Sequence, residues 1–329
     1  MDQSSDSLAR LRADVSIDRV YAARRIVRAH LPRSPLVAHP VLAEAVGCSV
    51  RVKHENHLPT GAFKIRGGLN YMANLPPESR ARGVIAATRG NHGQSVALAA
   101  RIFGVRATVV VPIGNNPEKN AAIKAYGAEL IEHGRDFDEA CQCVDQLVAE
   151  RGLVYVHSGN EPHLINGVST YWLEVLEDMP EVDVVIAPVG GGSGICAAIN
   201  VFRALKPSVR IIGVQAENAP ALYRSWKTGV PTTTESADTF ADGIATRIPF
   251  DLPFAMIREG VDDIVLVSEE ELRDAVRLYL SATHNLVEGA GAAPLAGLLK
   301  LRESLQGKSV AIVASGGNMD RQTLRRCLS

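Results

Sequence analysis

Short apolar runs rich in β-branched residues alternate with amphipathic segments through most of this 329-residue chain. From residue 83 onward the runs GVIAA, ATVVVP, AELIEHG and LVYVHS are separated by segments whose apolar residues have helical spacing. Strands that are short and apolar on both faces, with helices between them, are typical of parallel βαβ units. The alternation therefore predicts an α/β fold with open, mostly parallel, twisted sheets flanked by helices.

A second series of predicted buried strands follows the first, with the sequences VDVVIAPVGGG, VRIIGVQ, DDIVLVS and SVAIVAS. No linker rich in Pro, Gly or Ser separates the two series. We expect a small α/β domain over residues 83–157 and a large domain made of residues 1–82 together with 158–329. Ligands of such sheets bind at the carboxyl ends of the strands, so we expect the site in the cleft between the domains.

Charge and cysteine content narrow the classes of partner. The 35 Lys and Arg residues nearly balance the 36 Asp and Glu residues, so no net charge favours nucleic acid or a membrane surface. The five cysteines show neither zinc-finger spacing nor a dense disulfide framework, which favours a reducing compartment. The N-terminus lacks the apolar core of a signal peptide, and no long uncharged apolar stretch occurs. We expect a cytoplasmic protein that binds a small molecule.

Three glycine-rich loops follow predicted strands: TRGNHGQS at 88–95, VGGGSG at 189–194 and ASGGNMD at 314–320. The first two open predicted helices, where free backbone N–H groups bind anions. The four glycines of the second loop allow the backbone to close around a phosphate. None of the loops matches a nucleotide-binding P-loop or the usual dinucleotide spacing, so nucleotide binding is disfavoured. Taken singly, each loop is also compatible with an ordinary βα turn.

Lys64 lies among small and apolar residues in the segment ENHLPTGAFKIRGGLN, at the start of a predicted helix. A partly desolvated lysine has a lowered pKa, which makes it a nucleophile toward carbonyl carbon and afterwards a base. The alternative is a solvated helix lysine, which is the more common case for a lysine judged by position alone.

Five motifs occur in one order along the chain: TGAFKIRG, RGNHGQ, VGGGSG, EGAGA and SGGN. In order and approximate spacing they resemble the serine and threonine dehydratases and serine racemases of the fold-type II pyridoxal-phosphate enzymes, which share the tryptophan synthase β-like fold. The resemblance covers nearly the whole chain. It implies a pyridoxal 5'-phosphate cofactor bound as a Schiff base to Lys64.

The resemblance also implies roles for individual residues. Lys64 would hold the cofactor and then remove the α-proton of the substrate, with Phe63 beside the ring. Asn91 would bind the phenolic oxygen, and Ser315 would face the pyridine nitrogen. A neutral hydroxyl there weakens the ring as an electron sink, which favours prompt loss of a β-substituent. The phosphate would lie in the loop formed by Gly190, Gly191, Gly192, Ser193 and Gly194.

The substrate carboxylate is expected on the loop after the first strand of the small domain, where oriented N–H donors satisfy it. The residues of this loop are Thr88, Arg89, Gly90, Asn91 and His92. For His92 we favour packing behind the loop over acting as a base, because Lys64 already fills that role. Glu288 in EGAGA would lie near the cofactor, with either a structural or a catalytic function.

Two features depart from the family pattern. Arg89 replaces the usual Ala or Ser, and because an arginine is too strongly protonated to act as a base, racemisation is disfavoured. Arg89 could pair with a second carboxylate on the substrate, as in 3-hydroxyaspartate, or could only cap the loop. Gln215 and Ala221 stand where metal-activated relatives carry acidic ligands, so we expect no divalent metal there.

The expected function is elimination of water and deamination of a 3-hydroxy amino acid of the L-threonine or L-serine type, giving a 2-oxo acid and ammonia. The alternatives are dehydration of 3-hydroxyaspartate or phenylserine, β-replacement, racemisation, and cofactor binding without catalysis. Histidine after asparagine in RGNHGQ favours the dehydratase. The resemblance further implies a homodimer, and we expect no C-terminal regulatory domain of the kind found in biosynthetic threonine dehydratases.

Overall fold

The computed structural model describes residues 3–329, and its strands form two separate sheets. The six-stranded sheet has the order β1-β2-β10-β7-β8-β9, and the four-stranded sheet has the order β5-β4-β3-β6. The strands are β1 (Leu36–Ala38), β2 (Ser49–His54), β3 (Val84–Ala87), β4 (Ala107–Val111), β5 (Glu129–Glu132), β6 (Val154–Tyr155), β7 (Val184–Pro188), β8 (Arg210–Ala216), β9 (Asp263–Val267) and β10 (Ser309–Ala314).

Helices cover both sheets and account for most of the remaining chain. They are α1 (Gln3–Ala13), α2 (Ile17–His30), α3 (Pro40–Val46), α4 (Lys64–Asn74), α5 (Pro77–Arg82), α6 (Asn91–Ile102), α7 (Pro117–Ala125), α8 (Phe137–Arg151), α9 (Pro162–Asp178), α10 (Ser193–Leu205), α11 (Ala221–Thr228), α12 (Asp251–Gly260), α13 (Glu269–Thr283), α14 (Gly289–Leu301) and α15 (Arg321–Leu328). Within the described residues, none of these helices is both long and apolar enough to cross a membrane.

The predicted α/β fold with two open, mostly parallel sheets is confirmed. Every strand pair is parallel except β1 with β2 at the edge of the larger sheet. All residues of β3, β4 and β7 are buried. This burial explains why these segments are apolar throughout instead of alternating, since helices cover both faces of each sheet.

The strands of the smaller sheet all lie within residues 83–157, and those of the larger sheet lie outside that range. Helices from the preceding part of the chain share the core of the smaller sheet, because Val27 of α2 and Ile65 of α4 pack in one cluster with Val84 and Val109. The domain boundaries given above therefore stay a prediction.

A buried network of charges joins α4 to α9 and to the end of β2. The guanidinium of Arg66, with no exposed surface, donates to both carboxylate oxygens of Glu55 and to both of Glu174, at 2.7–2.9 Å. Lys53 donates to Glu174 at 2.7 Å. Burial alone would raise the pKa of Glu174, but Arg66 and Lys53 hold it below its usual value. Two cations thus neutralise two anions inside the protein.

We predict that Arg66→Met lowers the free energy of unfolding by about 3–5 kcal/mol, because it leaves two buried carboxylates with one cation. Urea unfolding followed by circular dichroism measures this loss. Arg24, whose partner Glu177 is one-third exposed, is the control. Arg24→Ala should cost no more than about 1 kcal/mol. Equal losses in the two variants would contradict the role assigned to the buried network.

Candidate active site

The three glycine-rich loops lie at the carboxyl ends of β3, β7 and β10 and surround one cleft of about 890 Å³, part of it open to solvent. Both sheets contribute to its wall. Every site residue predicted from the sequence lines this cleft, namely Phe63, Lys64, Thr88, Arg89, Gly90, Asn91, His92, Gly190, Gly191, Gly192, Ser193, Gly194 and Ser315. Residues up to 252 positions apart in the chain are therefore brought together around one cavity.

Lys64 is the first residue of α4 and projects into the cleft. Its Nζ donates a hydrogen bond to Ser193 Oγ at 2.7 Å. Desolvation lowers the pKa of Lys64 to about 8. The positive end of the helix dipole also disfavours a cation at this position. A sizeable fraction of Lys64 is therefore an uncharged amine near neutral pH, which is the nucleophilic form.

The loop from Gly190 to Gly192 forms a tight backbone cradle before α10. A Cβ atom on Gly190 would overlap the carbonyl oxygen of Gly243, and one on Gly191 would lie 2.9 Å from the ring of Phe250. Gly192 has φ +94°, which glycine adopts without strain. No side chain caps the start of α10. Its first N–H groups are thus free of side-chain acceptors and can bind an anion such as a phosphate.

The loop after β3 is held in shape by its own side chains. Thr88 Oγ1 accepts hydrogen bonds from the N–H groups of Gly90 at 2.8 Å and Gly93 at 3.2 Å. The imidazole of His92 donates from Nε2 to the carbonyl oxygen of Val156 at 2.9 Å. Desolvation, together with the charge of Lys64, lowers the pKa of His92 to about 3. His92 is therefore neutral at physiological pH and ties the loop to the smaller sheet.

Asn91 is fixed at the start of α6 by hydrogen bonds on both sides of its amide. Its Nδ2 donates to Glu288 Oε1 at 2.5 Å, and its Oδ1 accepts from Asn318 Nδ2 at 2.8 Å. Burial raises the pKa of Glu288, and the nearby charge of Lys119 partly offsets the effect. Glu288 is therefore a buried acid that orients Asn91 in this arrangement.

Phe63 and Ser315 connect the segment around Lys64 to the third glycine-rich loop. The backbone N–H of Phe63 donates to the carbonyl oxygen of Ser315 at 3.0 Å. The Phe63 ring packs edge-on against Tyr171, with centroids 6.0 Å apart. Ser315 itself is buried at the end of β10. These contacts set the distance between Lys64 and Ser315 across the cleft.

Sequence reasoning missed two charged residues of the cleft. Lys119 of α7 contacts Asp242 at 3.0 Å and Glu288 at 3.7 Å. Desolvation alone would lower the pKa of Lys119, but these two carboxylates raise it above its ordinary value. The aliphatic chain of Lys119 passes where a Cβ on Gly90 would lie. β3 and β4 are parallel neighbours, so the segment that follows β4 lies at the same edge of the sheet as Gly90. This shared edge was the sequence signal that could have revealed Lys119.

Gln215 and Ala221, the positions considered for a metal, carry no acidic group. Gln215 is buried, and its Oε1 accepts from the N–H of Tyr223 at 2.9 Å. Ala221 is buried at the start of α11. Across residues 3–329 no cluster of three His, Cys, Asp or Glu side chains has the arrangement of a metal site.

The donor set fits a phosphorylated carbonyl compound. The uncapped start of α10 and its glycine cradle suit a phosphate, and the Lys64 amine can attack a carbonyl carbon. At the start of α6, Thr88 takes up the N–H groups of Gly90 and Gly93, and the other N–H donors of the first turn can bind a second anion. Fixed amide and hydroxyl groups lie between these anion sites.

Comparisons with known proteins agree with this chemistry. The model of the pyridoxal-phosphate dependent enzyme family matches residues 27–316. The L-threonine ammonia-lyase of Thermotoga maritima is 41% identical over 96% of this chain and 78% of its own length. The catabolic L-threonine dehydratase of Escherichia coli is 35% identical over 93% of this chain and 94% of its own length. The structure of maize serine racemase has a TM-score of 0.90 and 30% identity, covering 95% of this chain and 97% of that one.

The family match spans both sheets and every residue that lines the cleft. The expectation drawn from the five motifs is thereby confirmed: this chain belongs to the pyridoxal-phosphate dependent enzyme family.

Proposed function

We propose that this chain is an ammonia-lyase that removes water and ammonia from a 3-hydroxy amino acid of the L-threonine or L-serine type. The observation that carries the proposal is the position of Lys64, a lysine with a lowered pKa that lines the cleft between the three glycine-rich loops. The relatives named for activity on L-threonine support the substrate class, since they match more than 90% of this chain.

The cofactor would lie between the two anion sites. Gly190, Gly191, Gly192, Ser193 and Gly194 would hold its phosphate, and Lys64 would bind its carbonyl carbon. Asn91 would donate to the phenolic oxygen, Ser315 would face the pyridine nitrogen, and Phe63 would pack beside the ring. When bound, pyridoxal phosphate supplies an electron sink for the electrons of the substrate Cα–H bond.

Lys64 is also the proposed proton acceptor. Once its Nζ is free, the amine can take the α-proton of the substrate. A pKa of about 8 is close to the working pH, where proton transfer by a base is most efficient. Ser193 Oγ, at 2.7 Å, holds the amine toward the cleft. The neutral His92 has too low a pKa to compete for this proton.

The loop of Thr88, Arg89, Gly90, Asn91 and His92 would bind the substrate carboxylate. Its support is the first turn of α6, where the N–H groups that Thr88 does not engage are oriented before the substrate arrives. Thr88 and His92 brace the loop through the hydrogen bonds described above, so little reorganisation is needed on binding.

We propose a homodimer in the cytoplasm. All five cysteines are free thiols, which suits a reducing compartment. Light scattering of the purified protein tests the assembly, since a dimer has twice the 35.2 kDa mass of one chain. A mass of one chain would contradict this proposal.

The function is tested by measuring 2-oxo acid release from cofactor-loaded enzyme. L- and D-threonine, L- and D-serine, 3-hydroxyaspartate and phenylserine form the substrate panel, with Lys64→Ala as the control. We expect turnover of L-threonine or L-serine that is lost in the variant. If no 2-oxo acid appears from any substrate, the lyase proposal fails, and β-replacement and racemisation assays follow.

A second prediction concerns pH. Only the neutral amine of Lys64 attacks a carbonyl, so below its pKa the rate of covalent cofactor attachment to the apoenzyme should fall about tenfold per pH unit. The rate, followed by visible absorbance, should level off above about pH 8 because the pKa of Lys64 is lowered to about 8. A rate that still rises steeply at pH 10 would indicate an ordinary solvated lysine.

A third prediction compares two glycines of the same loop. Gly190→Ala should weaken cofactor binding roughly tenfold to hundredfold. The new Cβ would clash with the backbone of Gly243, and overpacking of this kind costs about 1–3 kcal/mol. At Gly194 a Cβ would lie 3.7 Å from Phe63, an ordinary contact. Gly194→Ala should therefore lose much less affinity, as fluorescence titration with the cofactor can show. Equal losses would contradict a cradle shaped by close backbone approach.

A further inference from the structure

Arg89 of the cleft is only loosely paired with a carboxylate. Its Nη1 lies 3.9 Å from Asp242 Oδ1, which is beyond hydrogen-bond distance. Its Nε is buried and has no hydrogen-bond partner within the part of the chain that the structure describes. A donor without an acceptor costs free energy, so a ligand acceptor that reaches the exposed part of the Arg89 side chain, about one-third of its surface, would be favourable here.

The other charges of the cleft leave Arg89 without a full counter-ion. The charged residues that line it are Lys64, Arg89, Lys119, Asp242 and Glu288. Lys119 lies between the two acids, at 3.0 Å from one and 3.7 Å from the other. Lys119 thus lies closer than Arg89 to both of these carboxylates.

Arg89 also lies at a boundary between two spaces. It lines the main cleft and an adjoining outer cavity of about 770 Å³, together with Phe137, Thr246 and Phe250. In the outer cavity Arg247 is paired with Asp136 and Asp138. The guanidinium of Arg89 is therefore within reach of a group that extends from the main cleft toward the outer one.

The loop thus offers two separate groups of donors. The backbone N–H groups at the start of α6 suit the α-carboxylate of an amino acid, as proposed above. The guanidinium of Arg89 suits a second carboxylate, because its fork of donors binds both oxygens of such a group. A neutral substrate side chain would leave Arg89 with only the distant carboxylate of Asp242.

We propose that Arg89 determines specificity by binding the side-chain carboxylate of a dicarboxylic 3-hydroxy amino acid, such as 3-hydroxyaspartate. This inference rests on the lyase function proposed above. The reaction is the same: the Cα–H and Cβ–O bonds break, water leaves, and hydrolysis by one water releases ammonia and a 2-oxo dicarboxylic acid. Asp242 opposes this preference, because its carboxylate repels the second carboxylate of the substrate.

The test compares kcat/KM for 3-hydroxyaspartate with kcat/KM for L-threonine on the cofactor-loaded enzyme. In Arg89→Ala the ratio should fall about 10- to 100-fold. This is the change expected when one hydrogen bond to a charged group is lost. In Asp242→Asn the ratio should rise, because the repulsion is removed. Arg135→Ala is the matched control, since this arginine is 83% exposed and does not line the cleft. It should leave the ratio unchanged.

A binding measurement separates this inference from the lyase function. Succinate, a dicarboxylate that cannot react, should bind the loaded enzyme about 10-fold or more tightly than it binds Arg89→Ala in calorimetry. If no substrate is turned over but this difference appears, the lyase proposal fails and Arg89 remains an anion site. Equal succinate affinities, or a ratio in Arg89→Ala that matches Arg135→Ala, would overturn the role of Arg89.

Discussion

The buried network around Arg66 is the constraint on which the position of Lys64 depends. Arg66 lies two residues after Lys64 on α4, and its guanidinium is bound by Glu55 and Glu174 from two other elements. Four charges without exposure are tolerable only when each is paired and hydrogen-bonded. That requirement leaves α4 little freedom to slide or rotate. The fixed position of α4 places the Nζ of Lys64 at the start of α10.

Backbone N–H groups supply two of the anion sites of the cleft. The first turns of α6 and α10 provide two anion sites, each with oriented N–H donors. His92 and Glu288 add little free charge between them, because burial keeps the pKa of His92 at about 3 and Glu288 is engaged by Asn91. Such an arrangement binds two negative groups without placing a strong cation beside the amine of Lys64, whose pKa stays low.

Lys64 was singled out only by the resemblance of the five motifs, because its position alone favoured a solvated lysine, and strands β1 and β2 were not predicted. Local patterns in the sequence were sufficient to predict the other eight strands and the glycine loops. Each depends on a short segment, such as the apolar run before Thr88 or the glycines from 190 to 192, whose meaning is set by the backbone nearby. Contacts between distant segments could not be predicted in the same way. Lys119 and Asp242 meet from opposite sides of the cleft, and Arg66 meets Glu174 across 108 positions. Nothing in the local sequence of Arg66 distinguishes it from an exposed helix arginine.

The central claim is that Lys64, and not the other lysine of the cleft, carries the cofactor. Lys64 and Lys119 both line the cavity, but the pKa of Lys64 is lowered and that of Lys119 is raised by its two carboxylates. Borohydride reduction of the loaded enzyme, followed by digestion and mass spectrometry, identifies the modified lysine directly. The account predicts the cofactor mass on the peptide that contains Lys64 alone. The same mass on the peptide that contains Lys119, or on neither, would contradict it.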